Sequence, residues 1–282
     1  MAVEERMRTM PYDPTLYLGS AAHYTRGRPP YSAALAATLA AELDLDGTGR
    51  LLDVGCGPGV LTVELARLFS GAVGLDPDAG MLEEADRRAA RAGVTQIRWV
   101  RALAEDIPAL GLGVFRLVTF GQSFHWTERE QVAEAVYDLL EPGGALAVIG
   151  HTPEGRPRPD GPGHPPIPHD AIRAIIERYL GPERRAGQGL LLPPTERDEE
   201  ALARTRFGAP RHLFAPGRPD IVQDIDGVLS NYLSMSYAAP HLFGDRLPAF
   251  EAALRAELAA RSPSGLFWDW PGDTEILLAV KA

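Results

Sequence analysis

Arg50-Leu51-Leu52-Asp53-Val54-Gly55-Cys56-Gly57-Pro58-Gly59 is the stretch from which the rest of the chain is read. Residues of buried-strand type, interrupted only by Asp53, run directly into alternating glycines. Behind them Val60, Leu61, Val63, Leu65, Ala66 and Leu68 form an apolar helical pattern. Strand, tight glycine turn and helix are the first half of a nucleotide-binding βαβ unit. Glycine lets backbone approach a ligand with no Cβ in the way and tolerates positive φ at the turn. The free amides at the helix start favour negative charge there.

The second strand, Ala72-Val73-Gly74-Leu75, ends in Asp76, 21 residues beyond Gly55. A carboxylate there is placed to accept both hydrogen bonds of a ribose diol. A dinucleotide fingerprint wants its third glycine where Val60 stands; here that glycine comes early, at Gly59.

The early glycine, the acid inside the strand, and the Asp76-Pro77-Asp78 turn before a helix carrying Met81 and Leu82 resemble the first two motifs of class I S-adenosylmethionine (SAM) methyltransferases. Leu139-Leu140-Glu141-Pro142-Gly143-Gly144 ahead of the apolar strand 145–149 is similar to a further structural hallmark of that family, its glycines making the turn into the strand. The resemblance is specific over residues 50–150 and loose elsewhere. It implies an α/β fold: a doubly wound, Rossmann-like, mostly parallel sheet with an antiparallel strand near the C-terminus and an inserted, mostly helical cap. The expected layout is a single methyltransferase domain over 1–282. It comprises an N-terminal cover (1–44), a SAM-binding core (45–150), a cap with substrate-side elements (151–265) and a final core strand (266–282). The implied cofactor is S-adenosyl-L-methionine and its product S-adenosyl-L-homocysteine.

Composition limits the partners. The 282 residues carry a net charge of −10 with no basic block, which argues against nucleic acid or an anionic membrane as partner. No apolar run approaches the ~20 residues of a membrane span, and the opening MAVEERMRTM has no apolar core of a secretory signal. The one cysteine allows no intrachain disulfide and fits a reducing cytoplasm. Lys281 is the single lysine; with abundant Ala, Gly and Pro this suggests GC-rich bacterial coding.

The segment Tyr24-Thr25-Arg26-Gly27-Arg28-Pro29-Pro30-Tyr31 is similar to the N-terminal cover of small-molecule methyltransferases, which implies that Arg28 or Tyr24 reaches the methionyl carboxylate, with Tyr17 on the substrate side. The alternative is an arm whose tyrosines pack on the core. Residues 101–108, Arg-Ala-Leu-Ala-Glu-Asp-Ile-Pro, resemble the family's adenine-side motif, with Leu103 where an aspartate usually stands. That leaves Glu105, Asp106 or backbone carbonyls for the adenine amino group, and Leu103 and Ala104 as apolar walls. The cofactor-side candidates are therefore Asp53, Gly55, Gly57, Gly59, Asp76, Pro77, Met81, Leu103, Ala104, Glu105 and Gln122, with Arg28 and Tyr24.

Gly121-Gln122-Ser123-Phe124-His125-Trp126 follows the fourth strand (114–120), at the sheet edge where open α/β folds bind ligands. Only His125 among them has an unperturbed pKa near neutrality, making it the candidate general base; the competing reading is a histidine that shapes the loop. Phe124 and Trp126 either flank the sulfonium or substrate, or pack on the next helix.

Helices are expected at 32–43 (capped by Ser32), 79–92 (ended by Gly93), 128–140, 169–180, 220–236 and 248–260. The proline-rich 153–168 reads as a bridge to the cap, 190–194 as a loop, 207–214 as an irregular strand and 274–280 as the antiparallel strand. Tyr232, Met235, Tyr237 and His241 either line a substrate chamber or pack the cap. No metal site is expected, since His164 and His169 are scattered. Cys56, near a helix N-terminus that would lower its pKa, is read as a small residue the loop tolerates.

These readings converge on a SAM-dependent methyltransferase acting on oxygen or nitrogen of a small molecule, as in specialised metabolism, with His125 as base for a hydroxyl acceptor. No Asn/Asp-Pro-Pro-Tyr follows the fourth strand, which further disfavours a macromolecular acceptor. The alternatives are an NAD(P)-dependent Rossmann oxidoreductase, against which Val60 counts, and a non-catalytic partner subunit of the same fold.

Overall fold

The computed structural model describes residues 13–152, 161–190 and 196–282. Its helices are α1 (Ala21–Gly27), α2 (Leu35–Glu42), α3 (Val60–Leu65), α4 (Ala79–Ala92), α5 (Arg129–Leu139), α6 (His169–Leu180), α7 (Asp198–Ala203), α8 (Ile225–Leu233), α9 (Pro240–Phe243) and α10 (Leu247–Arg261). The strands are β1 (Arg50–Val54), β2 (Gly71–Leu75), β3 (Ile97–Val100), β4 (Phe115–Gly121), β5 (Leu140–Thr152), β6 (Arg185–Ala186), β7 (Gly189–Leu190), β8 (Arg211–Ala215), β9 (Val222–Asp224), β10 (Leu266–Trp268) and β11 (Asp273–Val280). They divide into a sheet unit (Pro29–Pro166, Pro193–Gln223, Phe267–Ala282) and a helical unit (Met1–Arg28, Ile167–Leu192, Asp224–Leu266).

The sheet unit is built on one seven-stranded sheet in the order β3-β2-β1-β4-β5-β11-β8. β1 to β5 pair in parallel, and β11 runs antiparallel to both its neighbours. Strand order reverses between β1 and β4, the position at whose carboxyl ends open α/β sheets bind ligands. Alternate residues of β1 feed two cores. Leu51 packs with Leu35, Leu39, Leu61 and Leu65 on one face, and Leu52 with Val132, Val136 and Leu202 on the other. Coverage of both faces is why β1 reads as a nearly unbroken apolar run.

Several expected boundaries move, each for a local reason. α2 starts at Leu35 after a turn at 33–34; Ser32 still accepts the Ala34 amide on its hydroxyl oxygen at 3.1 Å, while its own amide donates to Thr274 Oγ1 and its hydroxyl to the Pro216 carbonyl. β5 begins at Leu140, so Glu141 to Gly144 lie within the strand and not in a turn before it. Its pairing steps from Phe115–Leu140 to Leu117–Ala145, so Glu141 to Gly144 stand opposite the single residue Arg116 as an irregularity in the ladder. The irregular strand becomes a regular edge strand, β8, paired over five positions with β11. α8 starts at Ile225 rather than residue 220, because Asp224 caps it by accepting the Gly227 amide at 2.7 Å. It stops at Leu233 instead of 236. α1 and α7 lie in segments where no helix was expected. Residues 153–160 and 191–195, and with them the first half of the proline-rich bridge and all but Leu190 of the 190–194 loop, lie outside the described residues. The described end of the bridge is tied to Trp268, whose amide donates to the Pro165 carbonyl at 2.9 Å.

In the helical unit α1 lies directly on α8: a Cβ on Gly27 would fall 2.0 Å from the Asn231 backbone nitrogen, so only glycine permits the contact. Phe243 and Phe250 stack at 4.1 Å, and Ile172, Leu229, Leu254 and Leu258 are buried. No helix of the described residues is long and apolar enough to cross a membrane.

Candidate active site

The glycine loop carries three positive-φ glycines, and their surroundings differ. A Cβ on Gly55 (φ +64°) would sit 2.5 Å from Ser123 Cβ, and one on Gly59 (φ +71°) 2.9 Å from the Trp99 ring. Gly57 (φ +51°) faces open space, with nothing within 4 Å of an added Cβ. Gly55 and Gly59 are therefore demanded by the protein's own packing. The missing side chain of Gly57 leaves room for a ligand.

Asp76 closes β2 beside this opening. Its Oδ2 accepts the Gly57 amide at 2.8 Å and its Oδ1 the Asp78 amide at 2.9 Å. Each oxygen thus keeps acceptor capacity for a hydroxyl. Burial is the main cause that pushes this carboxyl up to about 6, with the nearby Asp78 and Asp53 charges adding to it. Asp53, also pushed up to about 6 by burial, has both oxygens taken: Thr62 donates at 2.5 Å and Thr119 at 2.8 Å. Of the two roles expected for it, the geometry supports orientation of the loop, since it ties β1 to α3 and β4. Cys56 departs from the helix-terminus expectation. Burial first, then Asp76 and Asp53, pushes its thiol well above the ordinary range, so it is an inert filler.

Around this pair, Pro77 accepts the Arg101 Nε bond at 3.1 Å, and Met81 is buried in the first turn of α4, which Asp78 caps. Ala104 belongs to the core and Leu103 is half-buried. Glu105 accepts the Glu128 amide at 2.9 Å and Asp106 the Leu103 amide at 3.0 Å, so both acids already have structural partners.

At the end of β4, Gln122 holds a left-handed backbone (φ +57°) while its amide donates to the Ile149 carbonyl. This non-glycine strain turns the chain so that Ser123 packs under Gly55 and bonds the Val54 carbonyl at 2.6 Å. Phe124 is fully buried edge-on against Phe120 at 4.9 Å; it is a core side chain and not a substrate wall. Trp126 is exposed and lies 5.0 Å from the His125 ring. Over a third of His125 remains open to solvent, yet surrounding protein lowers its pKa, with Asp198 opposing and Arg129 reinforcing the shift. It is therefore neutral at physiological pH, the state a base requires.

The remaining candidates belong to the helical unit. Arg28 lies over the Tyr24 ring at 4.8 Å and donates to the Ser234 carbonyl at 3.0 Å, while its Nε is buried without a partner. Tyr17 is half-buried just before α1. Tyr232, Met235 and Tyr237 line one cavity, together with His169; His241, bonded to the Leu18 carbonyl, does not. Sequence reasoning missed Trp99, on which Gly59 and Gly74 both pack, and the stack of Tyr31 on His151 at 5.1 Å. The glycine in the middle of β2 was the available signal for Trp99. Among the described residues no cluster of His, Cys, Asp or Glu fits a metal ion.

An open α/β sheet with an acid closing β2 beside a glycine loop is the arrangement in which such folds hold a nucleoside. Residues 51–144 match the family model described as a methyltransferase domain. Over 106 residues the chain is 37% identical to an uncharacterised methyltransferase of Mycobacterium bovis, covering 36% of this chain and 51% of that one. Over 127 residues it is 27% identical to a Saccharomyces cerevisiae protein named "Probable S-adenosylmethionine-dependent methyltransferase CRG1", covering 45% and 43%. The chain thus spans about half the length of the curated relatives it matches. A SAM-dependent methyltransferase of Thiobacillus denitrificans, solved with S-adenosyl-L-homocysteine, is 18% identical, with 94% of this chain and 98% of that chain covered and a TM-score of 0.49. Over residues 51–144 the chain is thus similar to a methyltransferase domain.

Proposed function

We propose that the protein transfers a methyl group from SAM to oxygen or nitrogen of a small molecule. The observation that carries this reading is Asp76 beside the open face of Gly57. One buried carboxylate, held by two backbone amides, keeps acceptor capacity for two ribose hydroxyls, and the space an ordinary side chain would fill is free for the cofactor. The cofactor supplies an electrophilic methyl, so the protein's task is alignment and exclusion of water. Asp76 grips the ribose, the backbone around Gly57 borders the cofactor, and Asp53 keeps the loop in register through Thr62 and Thr119. His125, neutral at pH 7, takes the proton from a hydroxyl acceptor; an amine acceptor needs no base. The net charge of −10 favours a small acceptor over nucleic acid. The test is to incubate the protein with methyl-labelled SAM and a metabolite extract of its own cells. A labelled low-molecular-weight product supports the reading; label found only in RNA or protein, or none despite SAM binding, overturns it.

A further inference from the structure

The helical unit holds a cavity of about 200 Å³ within its own segments. Its lining includes the apolar side chains of Ile176, Leu180, Pro182 and Met235. Two hydrogen-bonded pairs add fixed polar groups: His169 Nδ1 with Tyr232 Oη at 2.7 Å, and Tyr237 Oη donating to Met235 Sδ at 2.7 Å. The Arg184 guanidinium lies over the Tyr237 ring at 5.0 Å and has no carboxylate partner among the described residues. Arg173, also at the cavity, has only Asp170, a 95% exposed carboxylate, at 3.3 Å. Glu177 and Glu183 line the same space. The charges that reach Tyr237, however, are those of Arg184, Arg28 and Arg173, all cationic. Arg184 stacked on Tyr237, with Arg173 also in the lining, places guanidinium groups at the cavity together with apolar Ile176, Leu180 and Met235.

We infer that this cavity binds a small organic carboxylate, its anion beside Arg184 and Arg173 at Tyr237 and its flat or branched body against Ile176, Leu180 and Met235. A guanidinium stacked on an aromatic ring is already oriented and presents its N–H edge to a carboxylate, which an ammonium on a flexible stem does not. The volume suits a single-ring acid and is too small for a nucleotide. The site stands independently of the methyl-transfer reading, because every lining residue lies in the helical unit.

Calorimetric titration of the whole protein with benzoate tests this, with benzylamine as the cationic counterpart of matched size. Benzoate is expected to saturate with a Kd below about 1 mM. Arg184→Gln should weaken it about tenfold or more, the loss of one charged hydrogen bond. Arg184→Glu should reverse the preference toward benzylamine. Arg184 is exposed, so neither variant threatens the fold. Equal binding of benzylamine, an unchanged Kd in Arg184→Gln, or no saturation by about 10 mM would overturn the assignment. Asp76→Ala separates the two readings: it should abolish S-adenosylhomocysteine binding and leave the benzoate titration as it was.

Discussion

The amide of Gly57 donates to Asp76 Oδ2 at 2.8 Å, so the carboxylate proposed to hold the ribose also holds the glycine loop. Asp76→Ala therefore removes two ligand bonds and one loop anchor together. Hydrogen bonds to a charged acceptor contribute about 1.5–3 kcal/mol each. S-adenosylhomocysteine affinity should fall at least a hundredfold by calorimetry while the far-UV circular dichroism stays unchanged. A drop under about threefold would remove Asp76 from the site.

Affinity should also depend on pH, with a sign set by burial. Asp76 is pushed up to about 6, and only its ionised form accepts two ribose hydroxyls fully. S-adenosylhomocysteine binding should be flat at pH 7–8 and weaken as pH falls through about 6. Asp53→Asn removes a neighbouring negative charge and should move that midpoint down. Folding runs the other way. Carboxyls whose folded pKa is raised disfavour the native state once ionised, so the ligand-free protein should lose stability as pH rises from about 4 through 6.

The three loop glycines should respond differently to alanine. Gly55→Ala adds positive-φ strain and a 2.5 Å clash with Ser123, so the melting temperature should drop sharply. Gly57→Ala meets no atom and should cost about 1–2 kcal/mol of strain alone, yet cofactor binding should be lost because its methyl occupies ligand space. Equal effects of the two on cofactor affinity and melting would refute this division.

His125→Ala should lower kcat about 10²–10⁴-fold with a hydroxyl acceptor and leave SAM affinity unaltered. The acid limb of the pH–rate profile should disappear with it. A normal profile in the variant would return His125 to a structural role.

His212 offers a prediction outside the site. Its Nε2 meets Glu199 at 2.7 Å and its Nδ1 meets Glu275 at 2.9 Å, joining α7, β8 and β11. The Glu275 hydrogen bond, helped by Glu199 and opposed by desolvation, raises its pKa. The stabilisation is fully present below the unfolded value of about 6.5 and is lost as pH rises through the folded value. The melting difference between wild type and His212→Ala should be largest below about pH 6.5 and shrink as pH rises above it.

The Rossmann-like half was legible because its signals are local and covalently close. Asp53, the three glycines and Asp76 sit within 24 residues, and each answers to a strand end, a turn or a helix start. What stayed hidden depends on distant partners. Nothing near Ser32 in sequence announces that it also bonds Thr274 and Pro216, more than 180 residues away. Phe124 and Trp126 are indistinguishable as letters, yet one is fully buried and the other exposed. Residues 220–224 carry an apolar helical pattern, but Asp224 cannot both cap α8 and lie inside it. Likewise Tyr232, Met235 and Tyr237, neighbours in sequence, line one cavity without the expected His241, and His169 joins them across a gap of 63 residues that no local pattern spans.

β11 stands between β5 and β8 although it is made long after both. On a ribosome, β8 would emerge with its only neighbour still unsynthesised, and β5 would present one bare ladder of amides and carbonyls for the same interval. The sheet therefore completes by a late insertion, and this is the step at which a nascent chain is most open to pairing with the wrong strand or to capture by a chaperone.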